Sequence, residues 1–390
     1  MVSQQITADR TASQQRSRTP ISEKSGMVNG TRIDPGWEIN PNATAVPGHR
    51  HLAREIYEHI LSTQPDHLES LKELGQMDFE EGNFAQAIER LSQVVGTPMA
   101  DAECFHRLGQ AYAAQGDSSN AETAQRRALE LDPQMAAAHF DLGVSLRQQN
   151  KLGEATASFQ QTLRLDQNHG GAFHQLGGTL EQQGNIDQAL VCYQEARLKE
   201  LIDAAFEIGM LQIRSEIEAL VRTVLLTAPR NILEIGSHRG GTMYLWCKLL
   251  ENSGHRITVD LPGGDFGGLA VEEIESRNAV MSGWSENFSA INADSHAVST
   301  YEKVRETLDG EKLDFLFIDG DHTYEGVKLD FFMYKNLVRE GGLIAFHDIK
   351  DTQLHRDQNC HVARLWSELS GDKMQIQSDA QWGGIGVIQC

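Results

Sequence analysis

The dipeptide Leu-Gly recurs at Leu74-Gly75, Leu108-Gly109, Leu142-Gly143 and Leu176-Gly177, each 34 residues after the last. Ala87, Ala121, Ala155 and Ala189 keep the same period, and so do the turn positions Gly82, Gly116, Asn150 and Gly184. A fixed period of this length means a stack of like units, because each unit gains a core only against its neighbours. Four units fit, at 68–101, 102–135, 136–169 and 170–203, with 51–64 left as an unpaired helix before them. Pro65 and Pro133 stand where units end. Such a stack presents an extended concave surface for a protein or peptide. A purely structural spacer is the other reading, since no cluster of cations marks a groove that would grip a carboxylate.

The period and its small residues resemble the tetratricopeptide repeat, a helix–turn–helix unit of the same length. The resemblance gives the small residues a task, which is to let helix A and helix B of one repeat approach closely. Phe159 and Tyr193 fill the large helix-B position of that pattern, and Leu91 and Gln125 match it less well.

The pattern changes after the repeats. Residues 1–46 are rich in Ser, Thr, Gln, Asn and Pro without an apolar period and read as a disordered tail. Residues 204–230 hold an amphipathic connecting helix that Pro229 ends. From Asn231 strands and helices alternate: NILEI, a glycine turn Gly236–Gly241, a helix from Thr242, and RITVD ending at Asp260. A loop at LPGGDFGGLA, a helix near 270–282, the strand FSAIN, Asp294 and a helix near 296–308 follow. Next comes LDFLFIDGDHTYEGVKLDFFMYKNLVREGGLIAFHD, read as strand, loop, helix, a Gly341-Gly342 stop and a second buried strand. Its helix carries apolar residues at Tyr324, Val327, Phe331, Tyr334 and Val338. A helix around HVARLWSEL and the strands KMQIQS and GIGVIQ complete the chain. Alternation of this kind predicts a doubly wound α/β sheet.

In parallel βαβ units every strand ends on one edge of the sheet, so Asp319, His347 and Asp348 should converge there. LEIGSHRGG is not the GxGxxG fingerprint, which disfavours a nicotinamide cofactor, yet it puts glycines where backbone passes close to a ligand. Asp260 suits a ribose diol and Asp294 the exocyclic amine of an adenine. Within the DGDH loop both Asp321 and His322 are candidate bases, with His322 preferred because an imidazole titrates near neutrality. His238, His355 and His361 carry less weight.

EIGSHRGG, VD, NAD, FIDGDHTYEGVKLD and GGLIAFHD resemble a class I S-adenosylmethionine-dependent methyltransferase. The similarity covers roughly residues 205–390 and is closest to the branch of metal-dependent sugar and small-molecule O-methyltransferases, with cephalosporin-hydroxylase-like and rhamnosyl O-methyltransferase-like sequences. The resemblance implies that Glu234, Gly236, Gly240, Asp260 and Asp294 hold the cofactor, and that Asp319, His347 and Asp348 hold a divalent ion, Mg2+ or Mn2+. His347 departs from the acid usual in that branch, which favours Mn2+ or another transition ion and leaves equally open a metal-free site with His347 as base.

Composition narrows the partners. Residues 51–203 carry a net −12 and residues 231–390 a net −11, so neither part has the basic footprint that a nucleic-acid backbone requires. The five cysteines are scattered without a CxxC pair, and no apolar run would span a bilayer or serve as a signal peptide. The expectation is a cytoplasmic protein with a tail at 1–46, a tetratricopeptide solenoid at 47–203, a connecting helix at 204–230 and a Rossmann-like methyltransferase domain at 231–390. It would methylate a sugar or other small hydroxylated acceptor while the repeats recruit a protein partner. Two alternatives stand beside it: a non-catalytic scaffold with a degenerate methyltransferase fold, and a methyltransferase acting on a protein that the repeats hold.

Overall fold

The computed structural model describes residues 26–28, 31–33, 47–250, 254–263 and 268–390. They form two compact units, 1–161 and 162–390. Within the expected tail, β1 (Gly26–Val28) and β2 (Thr31–Ile33) pair as an antiparallel ribbon. The rest of that tail, and part of the LPGGDFGGLA loop, lie outside the described residues.

The first unit is a run of helices: α1 (Pro47–Thr63), α2 (Leu68–Glu80), α3 (Phe84–Val94), α4 (Ala102–Ala114), α5 (Ser118–Leu131), α6 (Ala136–Gln148) and α7 (Leu152–Leu165), the division falling within α7. The repeated glycine is the point where a helix-B side chain lies against helix A. A β-carbon on Gly75 would stand 2.8 Å from Leu91, one on Gly109 2.6 Å from Gln125, and one on Gly143 2.6 Å from Phe159. Gln125 works as the large residue because it is fully buried with its amide satisfied, Nε2 donating to the His106 carbonyl and Oε1 facing His106 Nδ1 at 2.9 Å. The turn residues Gly82, Gly116 and Asn150 all have positive φ, and Asn is the side chain that tolerates it best.

The second unit opens with α8 (Gly170–Gln182) and α9 (Ile186–Ile208), where Gly177 meets Tyr193 in the same way at 2.8 Å. Helix α9 runs unbroken through residue 203, where the sequence pattern ends the repeats, and stops at Gly209 with φ +111°. The expected connecting helix is α10 (Arg214–Leu225). The sheet follows, with β3 (Ile232–Ile235), α11 (Gly241–Leu249), β4 (Arg256–Asp260), α12 (Val271–Met281), β5 (Phe288–Asn292), α13 (Val298–Leu308), β6 (Leu313–Ile318), α14 (Tyr324–Tyr334), β7 (Val338–Phe346), α15 (Gln353–Asp357), α16 (Val362–Glu368), β8 (Lys373–Ile376) and β9 (Ile385–Gln389). The strand order is β5-β4-β3-β6-β7-β9-β8, parallel from β5 to β7 and antiparallel at β9 and β8.

Alternate residues of the central strands enter two cores, as the two-residue period of a strand requires. Leu233, Leu316, Ile344 and Phe346 pack with α13, α14 and α16 on one face. Ile232, Phe315, Phe317 and Ala345 pack on the other with Leu198 and Ile202 of α9, Ile217 and Leu220 of α10, and Met243 and Trp246 of α11. The sheet is therefore covered on both sides, as the alternation predicts.

One local expectation is corrected. Gly341-Gly342 does not stop helix α14, which ends at Tyr334 and passes through a 3-10 turn at Lys335–Leu337. Val338 already belongs to β7, where it pairs with Leu313, and the register then jumps so that Phe315 faces Leu343. The glycines are a bulge inside the strand, with Gly341 at φ +73° and the 341–342 backbone bonded to Cys390.

Candidate active site

Strand β3 has β4 on one side and β6 on the other, so the chain reverses its winding direction at the carboxyl end of β3. Ligands of open α/β sheets bind in the crevice at such a switch point. A cavity of about 840 Å³ lies here, and it is lined by every residue expected to hold the cofactor or the ion or to act as base, except Gly240: Glu234, Gly236, Asp260, Asp294, Asp319, Asp321, His322, His347 and Asp348.

The glycine turn after β3 is built on close approach. Gly236 has φ +85°, and a β-carbon there would stand 2.2 Å from the Asp319 carbonyl oxygen, so the turn is pressed against the loop after β6. Gly240, at φ +89°, caps α11 beside Met281 and Trp284, which places it behind the cavity wall. Glu234 is buried inside β3, and burial, with Asp260 and Asp319 nearby, pushes its carboxyl well above the usual range. Its Oε2 makes no hydrogen bond.

Asp260 is more occupied than a free ribose acceptor would be. Its Oδ1 accepts from the Ser237 amide at 2.7 Å, and its Oδ2 accepts from Thr258 Oγ1 at 2.8 Å and Arg277 Nη2 at 2.9 Å. Arg277 also donates to the His238 carbonyl at 2.6 Å and thereby ties α12 to the glycine turn. Asp294 is half-exposed at the cavity and caps the backbone of His296.

The acids and imidazoles after β6 and β7 do converge. Asp319 Oδ1 lies 3.3 Å from His322 Nε2 and 3.2 Å from His347 Nδ1, and Asp348 Oδ2 lies 3.4 Å from His322 Nδ1. Burial alone would raise the Asp319 carboxyl, but His347 and His322 outweigh it and hold the group well below the usual carboxylate range. Burial would likewise lower His322, and its pairing with Asp319 instead raises it to about 10. Asp319, His347 and Asp348 each bring one ligand atom within 4.8 Å of the others, and buried His347 Nε2 makes no hydrogen bond. A divalent ion therefore fits this donor set.

Asp321 has local employment. Its Oδ1 accepts from the Thr323 amide at 2.8 Å, and its carboxyl lies over Gly326 in the first turn of α14, where a β-carbon would come within 2.0 Å. His355 and His361 do not line the cavity. His355 is buried behind it, 3.3 Å from Asp348 Oδ1, and the His361 amide donates to the His322 carbonyl at 2.7 Å.

Three further residues lacked any signal in the sequence. Gln212, between α9 and α10, donates to Asp319 Oδ2 at 2.6 Å and accepts from Thr242 Oγ1 at 3.1 Å. Arg277 of α12 is the second, bonded to Asp260 Oδ2. Trp382, on the loop before β9, stands edge-on to the His347 ring at 6.3 Å. That loop is anchored from behind: Glu216 accepts from the Ser378 and Gly384 amides, and Lys350 Nζ donates to the Ser378 and Ala380 carbonyls.

A second ion pair borders the cavity. Asp330 of α14 is fully buried, and His296 Nε2 lies 3.4 Å from its Oδ1. That pairing raises His296 to about 9, while burial pushes Asp330 up from its own usual value. Its folded pKa exceeds the unfolded value, so His296 contributes stability that is full below about pH 6.5 and lost as pH rises through about 9. His296→Gln should cost about 3 kcal/mol at neutral pH, because it strands a buried carboxylate. Thermal melts of both proteins from pH 6 to pH 10 should show the gap closing; a constant gap would refute the ion pair.

Two family models match. Residues 233–349 match the model described as a methyltransferase domain, and residues 106–169 the model described as a tetratricopeptide repeat. A curated relative, the uncharacterized protein y4gI of Sinorhizobium fredii (strain NBRC 101917 / NGR234), is 26% identical over 164 residues, covering 41% of this chain and 17% of the relative. The match thus spans less than a fifth of that relative's length. Among solved structures, a crystal structure of MamA is 24% identical with a TM-score of 0.40, covering 43% of this chain and 98% of that one. YrrB, a TPR protein with an unusual peptide-binding site, is 21% identical with a TM-score of 0.38, covering 40% of this chain and 80% of that one. The family matches thus place a tetratricopeptide repeat among the helix pairs at residues 106–169 and a methyltransferase domain on the doubly wound sheet at residues 233–349.

Proposed function

We propose that the protein transfers a methyl group from S-adenosylmethionine to a hydroxyl of a sugar or other small hydroxylated acceptor. The observation that carries this reading is the shared cavity. One crevice is lined both by the glycine turn with Asp260 and Asp294, and by the cluster of Asp319, His322, His347 and Asp348. Its volume of about 840 Å³ is in the range of small-molecule sites.

In this reading Gly236 lets backbone approach the donor closely, Asp294 and the remaining acceptor capacity of Asp260 fix its nucleoside, and Asp319 through Asp348 receive the acceptor. Methyl transfer is an in-line displacement: the acceptor oxygen forms the new bond to carbon, and the sulfur keeps the electron pair of the broken one. The chain contributes alignment and a place for the hydroxyl proton. His322 is better placed than Asp321 for that proton, because it faces both Asp319 and Asp348; these carboxylates hold its imidazole protonated near neutrality, so it accepts a proton only when a cation takes over their charge. A divalent ion bound by Asp319, His347 and Asp348 would supply Lewis acidity that lowers the pKa of an acceptor hydroxyl. The repeats, in this reading, bring a protein partner to the enzyme, and the free cysteines suit a reducing cytoplasm.

The test is methyl transfer from labelled S-adenosylmethionine to a panel of saccharides, polyols and phenols, with and without EDTA. EDTA should abolish turnover and leave S-adenosylhomocysteine binding intact. Full turnover in a metal-free preparation would leave His322 or His347 as a base acting alone. Label appearing only in a protein would favour a protein acceptor held by the repeats.

A further inference from the structure

Cys360 lies between α15 and α16 and is buried. A buried cysteine among apolar neighbours is by itself a small core residue, and Val362 and Leu365 do pack in the same cluster. Three observations set this one apart. Cys360 Sγ, a His322 ring nitrogen and an Asp348 carboxylate oxygen all lie within 4.8 Å of one another. This triad shares Asp348 with the group of Asp319 and His347, and His322 Nε2 is itself 3.3 Å from Asp319 Oδ1, so the two donor groups adjoin at Asp348. Beside them His347 Nε2 and Asp348 Oδ1 are buried without a hydrogen bond; Asp348 Oδ1 has His347 Nδ1 and His355 Nε2 only at 3.4 and 3.3 Å.

The backbone holds the sulfur in this position. The Cys360 amide donates to the His355 carbonyl at 2.8 Å, and the next amide, of His361, donates to the carbonyl of His322 at 2.7 Å. The loop bearing Cys360 is therefore latched to the loop bearing His322. His355 stands behind Asp348, with its Nδ1 at 2.5 Å from the Lys350 carbonyl and its Nε2 accepting from the Gly383 amide at 3.4 Å.

We infer that Cys360 is a ligand of the metal centre formed with His322 and Asp348, so that the site takes a borderline-to-soft divalent transition ion of the zinc and cobalt class in preference to Mg2+. On a tetrahedral zinc ion, sulfur at about 2.3 Å and nitrogen at about 2.1 Å lie about 3.6 Å apart, so donors within 4.8 Å of one another close on the ion with shifts of at most about 1 Å. On binding, the thiol proton leaves for solvent and the thiolate bonds the ion. Thiolate and imidazole favour such ions, whereas Mg2+ requires oxygen ligands in octahedral array. This inference rests on the metal reading of the cluster around Asp348 and adds the identity of the ion to it; with His322 on the ion, the acceptor's hydroxyl proton leaves to solvent rather than to that imidazole.

The experiment uses the full chain stripped by a chelator and titrated with Co2+, read by absorption, and with Zn2+ and Mg2+, read by calorimetry. The wild type should bind one Co2+ with a thiolate-to-cobalt charge-transfer band. Cys360→Ser should lose that band and bind Zn2+ at least about 10-fold more weakly, with Mg2+ binding unchanged. Cys360→Ala, which removes the ligand while filling an apolar site, should give the same result, and the melting temperature of each variant establishes that it is folded. Cobalt binding without the band, or a band that survives in both variants, overturns the inference. Preference for Mg2+ over Zn2+, with the variants unaffected, overturns it and leaves the metal reading standing. If no divalent ion binds, both fail.

Discussion

Asp319→Asn should reduce methyl transfer by about 10³-fold while S-adenosylhomocysteine still binds. Asp319 is the hub of the cluster, contacted by Gln212 Nε2 at 2.6 Å, His347 Nδ1 at 3.2 Å and His322 Nε2 at 3.3 Å. The amide can still accept from Gln212, so the loop keeps its anchor. It cannot hold two imidazoles by charge, nor serve as an anionic ligand. The loss should therefore fall on kcat and on metal affinity rather than on the Kd for the donor product. A variant that turns over within tenfold of wild type would remove Asp319 from the chemistry.

Truncation should separate two placements of the domain boundary. We propose that the methyltransferase domain needs helix α9, although the sequence pattern places the end of the repeats at residue 203. Leu198 and Ile202 are buried in the same cluster as Ile217, Met243 and Trp246, and Lys199 donates to both oxygens of Glu218 at 2.6 Å. Arg222 of α10 pairs in the same way with Glu195. A fragment 205–390 deletes these side chains and exposes their partners. Loss of the two apolar side chains alone costs about 1.5–3 kcal/mol each, a large share of the stability of an ordinary domain. The fragment 162–390 should melt cooperatively, and 205–390 should be molten or insoluble. Equal melting temperatures for the two would restore the boundary at 203.

Where the sequence was legible, the information was local. The repeats could be read because each glycine and the large residue it accommodates recur within one period, as Gly143 and Phe159 do. The strands could be read because residues such as Phe315 and Leu316 enter opposite cores, so that both faces are apolar. Gly341-Gly342 misled for a physical reason: two glycines after a helical apolar period look like a helix stop, and a bulge in β7 uses the same backbone freedom.

The site was legible wherever its residues terminate strands, since a parallel sheet brings all those ends to one edge. It was illegible where the partners are remote in sequence. Gln212 reaches Asp319 across 107 positions, and Arg277 of α12 meets Asp260 at the end of β4. Cys360 approaches His322 through a loop latched by a single amide, that of His361. None of these contacts leaves a spacing rule. Asp321 is the contrasting case, a motif acid whose Oδ1 accepts locally from the amide of Thr323, the N-cap of α14.

The most direct measurement is a calorimetric titration of the full chain with S-adenosylhomocysteine, run beside NAD. The account predicts one S-adenosylhomocysteine site per chain, weakened at least about tenfold in Asp294→Ala, where a half-exposed carboxylate would lose its contact with the ligand, and no binding of NAD. Binding of NAD without S-adenosylhomocysteine, or of neither, would contradict it.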